Sequence, residues 1–520
     1  MADIVIINPR FDISFWGMEL VLPLMGKRAA TPVACLPLLA ALTPAGHDIT
    51  LIDENVEAID FERCSRADIV GVTGMGIQRH RMKEILADLK RRGVFTVVGG
   101  PMITMAEDYF GDLVDVLFIG EAEETWPRFL TEWQEGRHQT RYEQAEKSDM
   151  SKVAMPRFDK LKMRHYLFGS IQFSRGCPFQ CEFCDIIVTF GRRPRIKTSP
   201  QIIAELEAIR AQGMRIVFVV DDNLIGNKKA IKEVLRDVSA WQEQNGYPLT
   251  FFTEASIDLA DDPELMRLMV EANVITVFVG IESPNEASLR ETKKFQNVRT
   301  GGTMLEKVHR IQGAGMEVWC GMIVGFDNDG PSVFDAQTRF LKESRIANVL
   351  VSLLTAIPKT PLYHRLEREG RLDMSDELEF GTNVISLQLS REELRDGYVR
   401  VMNELYKPDA YFGRLEELYL QEKIRFCQGR ARYWRRHPIK RLTANALFLT
   451  QAAGLFLQLM RNIPEASLRQ EYRRRIGRFL KVRRDPATLL SFVFSCAMHY
   501  HAHTMARRMV SGRTAVFSGY

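Results

Sequence analysis

Apolar residues along the first third of the chain come in short, continuous runs. Ile4-Val5-Ile6-Ile7 has no polar alternation, as a strand buried on both faces requires, and Asn8-Pro9-Arg10 ends it. Residues 33–45 form a helix-like apolar stretch closed by Gly46. Further strand-like runs follow at 48–53, 68–74, 96–101 and 116–121. Between them Met82, Ile85, Leu86 and Leu89 recur at helical spacing, and another helix follows Glu121. Strands alternating with helices in this way predict an α/β fold, a doubly wound, Rossmann-like parallel sheet over residues 1–145.

Residues 146–165 are polar and basic, contain Pro156, and read as a linker. A second alternating array follows. Its strand candidates are 170–174, 216–220, 250–253, 276–279, 318–324 and 349–354, with helices including 200–211 and 228–243. This array occupies residues 146–375, and its functional residues are expected at the C-terminal strand ends. Residues 376–520 read as a helical, basic C-terminal domain. Within it 441–460 is apolar and acid-free, but too short and too polar for a membrane span. A basic run, Tyr472 to Arg484, precedes a second apolar helix, 487–498.

The 520 residues leave room for several cores. With 46% hydrophobic and 26% charged residues, the composition is that of an ordinary folded protein. Eight cysteines without a basic leader point to a reducing cytoplasm rather than a disulfide framework. The net charge of +4 conceals an asymmetry. Residues 421–520 hold 20 Lys and Arg against 4 Asp and Glu, a charge of +16, which leaves −12 for the rest. Such a tail is expected to meet an anionic surface or substrate, for instance as a peripheral contact at the inner face of the membrane. The plainer alternatives are a solvated face or a helical cap on the preceding domain. No nucleic-acid partner is expected. His499, His501 and His503 alternate, so on a helix they do not share one face and read as polar surface rather than metal ligands.

One stretch carries distinctive chemistry: Cys177-Pro178-Phe179-Gln180-Cys181-Glu182-Phe183-Cys184, just after a strand and the turn pair Arg175-Gly176. Three thiolates on one loop suit three irons of a 4Fe–4S cube and leave the fourth iron to a non-protein ligand. Structural zinc wants four ligands, and no CxxC or HxxxH partner stands nearby. The CxxxCxxC spacing, with aromatic Phe183 before its last cysteine, resembles the radical S-adenosylmethionine (SAM) superfamily. That resemblance implies a partial (β/α)6 TIM barrel. It also implies a cluster whose open iron binds the amino and carboxylate groups of SAM and cleaves it to a 5′-deoxyadenosyl radical, which abstracts hydrogen from carbon. Asp221 and Asp222 would then face the SAM ammonium, with Glu254 and Ser256 at its ribose or carboxylate and Glu282 at the next strand end. Any single acid could instead cap a helix. Arg192, Arg193, Arg195 and Lys197 could meet an anionic group or form a solvated run.

The first sheet's strand ends are small or polar: Asn8, Thr73-Gly74-Met75-Gly76, Gly99-Gly100-Pro101 and Gly120-Glu121-Ala122-Glu123. Small residues let a large flat ligand approach the backbone, and there is no GxGxxG for a dinucleotide. The domain resembles the cobalamin-binding domains that precede the barrel in one branch of radical SAM enzymes. This implies cobalamin contacts from Asn8, Thr73, Gly74, Met75, Gly99, Gly100, Pro101, Gly120 and Glu121. No histidine precedes His47, so cobalamin would bind without a lower imidazole. A flavodoxin-like domain that merely docks is the alternative. The whole arrangement resembles cobalamin-dependent radical SAM methyltransferases, particularly the hopanoid C-2 methyltransferases and their relatives. The implied reaction is methylation of an unactivated sp³ carbon in a hydrophobic, hopanoid-like lipid, with electrons from a flavodoxin- or ferredoxin-type donor. The competing readings are a non-methylating oxidative cyclase, a methyltransferase for a tetrapyrrole or peptide, and a non-enzymatic cobalamin-binding regulator.

Overall fold

The computed structural model describes every residue except 16, 300, 377–380 and 511–520. The N-terminal sheet has six parallel strands: β1 (Asp3–Asn8), β2 (Asp48–Asp53), β3 (Ile69–Thr73), β4 (Thr96–Gly99), β5 (Val116–Ile119) and β6 (Arg141–Glu143). Their spatial order is β2-β1-β3-β4-β5-β6. Ile4 and Ile6 share a core with helix α1 (Cys35–Leu42), while Val5 and Ile7 share another with α2 (Arg79–Arg91). Two covered faces explain the unbroken apolar runs. The edge strand β6 escapes the apolar pattern because only Tyr142 of its three residues is buried.

The linker expectation needs correcting. Met150, Phe158, Leu161, Met163 and Tyr166 are buried, so this segment is a packed strap. Tyr166 Oη donates to Asp53 Oδ2 at 2.7 Å, tying the strap to the end of β2.

The second sheet is the partial barrel. Its strands are β7 (Gly169–Ile171), β10 (Ile216–Val219), β11 (Thr250–Glu254), β12 (Val274–Glu282), β13 (Glu317–Val324) and β14 (Val349–Leu353), parallel and in that order. A short antiparallel pair, β8 (Ser174–Arg175) and β9 (Arg195–Ile196), brackets the cysteine loop. Helices α3 (Ser199–Ala211) and α4 (Lys228–Gln244) begin the outer layer. Val217, Val219, Phe251, Val277, Val318 and Val351 face this layer and are buried. The alternate positions, including Phe218, Phe252, Phe278, Trp319 and Leu350, point inward and keep accessible surface. The strand period of two thus separates a packed outer face from an aromatic lumen.

The C-terminal region is helical: α5 (Arg391–Leu405), α6 (Pro408–Glu416), α7 (Gln428–Arg436), α8 (Pro438–Asn462), α9 (Ala466–Val482) and α10 (Pro486–Val510). It closes the N-terminal end of the barrel. Tyr406 exchanges two hydrogen bonds with the Val349 backbone, Arg414 donates to Ile346 O, and Tyr419 donates to Glu317. The apolar helix α10 is this cap's core, with Phe492, Val493, Cys496 and Met505 buried.

The histidine expectation is also overturned. His499 and His501 are fully buried. His499 Nε2 and His503 Nδ1 both reach Tyr406 O, at 3.1 and 2.8 Å. A carbonyl only accepts, so His499 carries its proton on Nε2 and accepts from Tyr472 Oη through Nδ1, at 2.7 Å. Burial pushes its pKa well below the ordinary value. The basic run is likewise partly internal: Arg475 is buried and pairs with Glu416, which the exposed Arg478 also reaches.

Candidate functional site

The cysteine loop leaves β8 at the C-terminal mouth of the barrel. Gly176 turns it with φ +92, and a Cβ there would lie 2.9 Å from Gly191 O, which accounts for the glycine. Cys177 and Cys184 keep accessible surface, while Cys181 is buried. Burial pushes the thiols of Cys177 and Cys184 up, and the other sulfurs of the loop push the same way. Two amides are aimed at the sulfurs: Asn223 Nδ2 lies 3.8 Å from Cys177 Sγ and Gln296 Nε2 lies 3.4 Å from Cys181 Sγ. N–H donors around thiolates tune iron–sulfur centres. Phe183 stands beside the loop, with Lys294 Nζ 5.8 Å from its ring centre and Phe326 at 6.3 Å.

The acids of the mouth divide into two groups. Asp221 is 1% exposed, accepting from Phe173 N at 2.7 Å and Ser174 Oγ at 2.6 Å. Burial pushes its pKa up to about 7. Its carboxyl is used in pinning the strand that feeds the cysteine loop, not in facing a ligand. Asp222 accepts from Gly176 N at 2.9 Å, keeps accessible surface, and is pushed up to about 6 by burial. Glu254 is enclosed by protein yet partly accessible, as a group lining a lumen is. Burial and the neighbouring Asp222, Asp221 and Glu282 push it up to about 8. Ser256 hydrogen-bonds Asn223 and Asp258. Glu282 is buried with φ +64 and pairs with Lys294 at 2.6 Å. Burial works against the Lys294 charge, but Glu282 and the Cys181 sulfur outweigh it and hold its pKa above the usual value.

Lys294 and Gln296 escape motif reading. Asn223 adjoined a recognised acid pair, but Lys293-Lys294 and Gln296 carry no periodicity that separates them from a solvated turn. Arg195 and Lys197 are turned to protein carboxylates: the half-buried Arg195 pairs with Glu121 and the buried Lys197 with Glu205. Arg192 and Arg193 are exposed.

Facing the mouth is the C-terminal rim of the first sheet. Met75 is 49% exposed, Pro101 is exposed, and Gly99, Gly100 and Gly120 keep accessible surface. Gly120 has φ +77, and nothing lies within 4 Å of where its Cβ would be. Gly100 has φ +97, and a Cβ there would meet Thr73 Oγ1 at 2.7 Å and Gly74 N at 3.1 Å. Gly74 and Thr73 are buried behind it. Two expected contacts have other tasks. Asn8 is 1% exposed, donating to Asp53 and accepting from Gln78, which holds the rim from within. Glu121 accepts from Arg175 at 2.8 Å, Arg195 at 3.0 Å and Ser148 N at 2.7 Å. Arg175 also reaches Glu123 at 2.6 Å. These charges latch the rim to the cysteine loop, because Arg175 stands two residues before Cys177. On the opposite flank Lys359 donates to Thr104 O at 2.6 Å and pairs with Glu107.

The residues fit the three groups that the arrangement implies. Cys177, Cys181 and Cys184 would hold a 4Fe–4S cluster, with amide donors already aimed at two sulfurs. An acid-lined lumen beside it suits the cationic end of SAM. An open glycine rim opposite suits the flat face of cobalamin. A B12-binding sheet set over a radical SAM barrel is the class that this fold and site define. Residues 29–130 match the B12 binding domain, 171–336 the radical SAM superfamily, and 360–515 a domain of unknown function (DUF4070). An uncharacterized methyltransferase of Synechocystis sp. is 39% identical over 80% of this chain and 78% of its own length. The hopanoid C-2 methylase of Rhodopseudomonas palustris is 35% identical over 79% and 78%. The structure of OxsB, a cobalamin-dependent SAM radical enzyme with aqua-cobalamin and SAM bound, superposes with TM-score 0.61 at 13% identity, over 100% of this chain and 85% of that one. The chain belongs to the cobalamin-dependent radical SAM methyltransferases.

Proposed function

We propose that the enzyme C-methylates an apolar, hopanoid-like lipid at an unactivated carbon, inside the barrel. The observation that carries this reading is the lumen wall. Phe218 stacks on Phe252 with ring centres 4.7 Å apart, and Phe278 pairs in register with Trp319 on the neighbouring strand. Phe168 and Phe494 continue the aromatic surface at the floor. These large aromatic faces, set along strands that end in the acids of the mouth, favour a rigid apolar skeleton over a peptide or a carboxylated tetrapyrrole.

Bound at their sites, the cluster, SAM and cobalamin supply the radical and methyl-transfer chemistry. The chain's own residues orient and shield. Asp222 holds the turn before Cys177 and offers its free oxygen to the mouth. Glu254 is poised to give up its proton when a cation enters, because a positive neighbour favours the carboxylate. Lys294, set between Glu282 and the cysteine sulfurs, can meet a carboxylate. The Glu121–Arg175–Arg195 latch keeps rim and loop in register, as a transfer between two bound cofactors needs. The site of action is proposed as the cytoplasm, with the C-terminal region in peripheral contact with the membrane and a flavodoxin- or ferredoxin-type protein supplying electrons.

The experiment is anaerobic turnover of a hopanoid, a tetrapyrrole and a peptide by reconstituted enzyme, together with product analysis after gene deletion. A methylated hopanoid that disappears in the deletion strain is the expected result. A methylated tetrapyrrole or peptide, or an unmethylated cyclised product, would replace this reading.

A further inference from the structure

Among the described residues of the C-terminal region, α8 is the long helix that stays largely uncovered. Only 17% of its most apolar window is buried, and its mean hydropathy there is 1.3. Its inner face is attached: Ala452, Leu455 and Leu459 are buried, and the helix lies along α10 and the turn Leu22–Met25. Its outer face carries Ile439, Leu442, Ala446, Leu449, Ala453 and Leu457, three or four residues apart, a single stripe about 27 Å long. Ile439 is 79% exposed, Leu442 72% and Leu457 59%. No acid occurs between Pro438 and Asn462, and Arg435, Arg441 and Arg461 stand exposed at the two ends.

We propose that α8 docks the enzyme on an anionic bilayer, lying in the plane of the interface with this stripe among the acyl chains. The attached inner face rules out a spanning orientation, because crossing would strip α8 from α10. The acid-free surface and cationic ends match phosphate headgroups and argue for lipid over a protein partner. The neighbouring apolar helix α10 takes no part, since it is buried, and α9 contributes only screened attraction. That the bilayer delivers the substrate rests on the proposed lipid reading; the docking itself does not.

The test is sedimentation of the full-length protein with phosphatidylcholine vesicles, with and without phosphatidylglycerol, at low and high salt. Wild type should bind the anionic vesicles and retain a salt-resistant fraction. The L442Q/L449Q/L457Q variant should lose at least about tenfold in partition, since each side chain withdraws apolar surface from the acyl region, while iron content and thermal midpoint stay unchanged. R473Q/R474Q on α9 should weaken only the salt-sensitive part. A Trp at position 449 should be quenched by brominated lipid, and a Trp at 455 should not. Equal binding by the triple variant, or no binding by wild type, overturns the proposal. So does a wild-type dimer that the triple variant converts to monomer, which would assign the stripe to a second copy. Vesicle binding with a non-lipid product would leave the docking intact and remove the substrate reading. Lipid methylation in detergent without vesicle binding would do the reverse.

Discussion

The two parallel sheets of this protein share a design and diverge at their C-terminal edges. Each has six strands and a helical outer layer on at least one face. The edge of the first is built of glycine, proline and methionine, and the acid and amide that sequence places there, Glu121 and Asn8, are consumed inside the protein. The edge of the barrel carries thiols and carboxyls, of which Cys177, Cys184, Asp222 and Glu254 keep accessible surface. A broad ligand needs clearance, which only missing side chains provide. A cluster and a small cation need specific ligands, which only side chains provide. The same topology therefore suits cobalamin at one edge and the cluster with SAM at the other, and the ligand is decided by what remains free at the rim.

The largest effect should come from the barrel edge. C177A/C181A/C184A should abolish the cluster, with iron and sulfide near zero, while cobalamin binding, followed by absorbance, survives. Cluster retention would end the assignment of these ligands. The converse variant, G100V, strains a φ of +97 and drives a side chain into Thr73 and Gly74; such a conformation costs ~1–3 kcal/mol. It should lose cobalamin while keeping full iron content. Loss of both cofactors together would mean that the two edges are not independent.

Smaller effects separate acids that read alike in sequence. E254Q and D222N should each weaken SAM binding about tenfold, because a charge-assisted hydrogen bond contributes roughly 1.5–3 kcal/mol. N8A, at the first sheet, should leave SAM affinity unchanged in the same calorimetric titration. Unchanged affinity in both acid variants would move the SAM pocket elsewhere.

The smallest effect is in pH. Glu254 is raised from 4.5 to about 8, so the folded protein holds this proton more tightly than the unfolded chain. Its stabilisation is full below the unfolded value and is lost as pH rises through the folded one. The melting temperature of the cofactor-free protein should therefore decline across that window, and less steeply in E254Q. Identical slopes would show that Glu254 is already ionised.

Much of the site was legible because its chemistry is local. Three cysteines on one loop keep their spacing in any fold, and glycines at strand ends follow from strand period alone. Lys294, Gln296 and the Glu121 latch were not legible, because each acts on a residue from a distant segment. Burial by neighbours decided which strand-end acids stayed free: Asp221 and Asp222 are adjacent in sequence, yet one is used up by Phe173 and Ser174 while the other faces the mouth.

The C-terminal helices give the sharpest case. α8 and α10 are both 25 residues long and both apolar, and sequence alone assigned them one role beside a basic run. Sequence determines that each must hide apolar surface. It does not determine from what, because the hydrophobic effect is non-directional and any covering surface satisfies it. Tertiary structure chose: the barrel floor and the surrounding helices cover α10, while nothing in the described chain covers the outer stripe of α8.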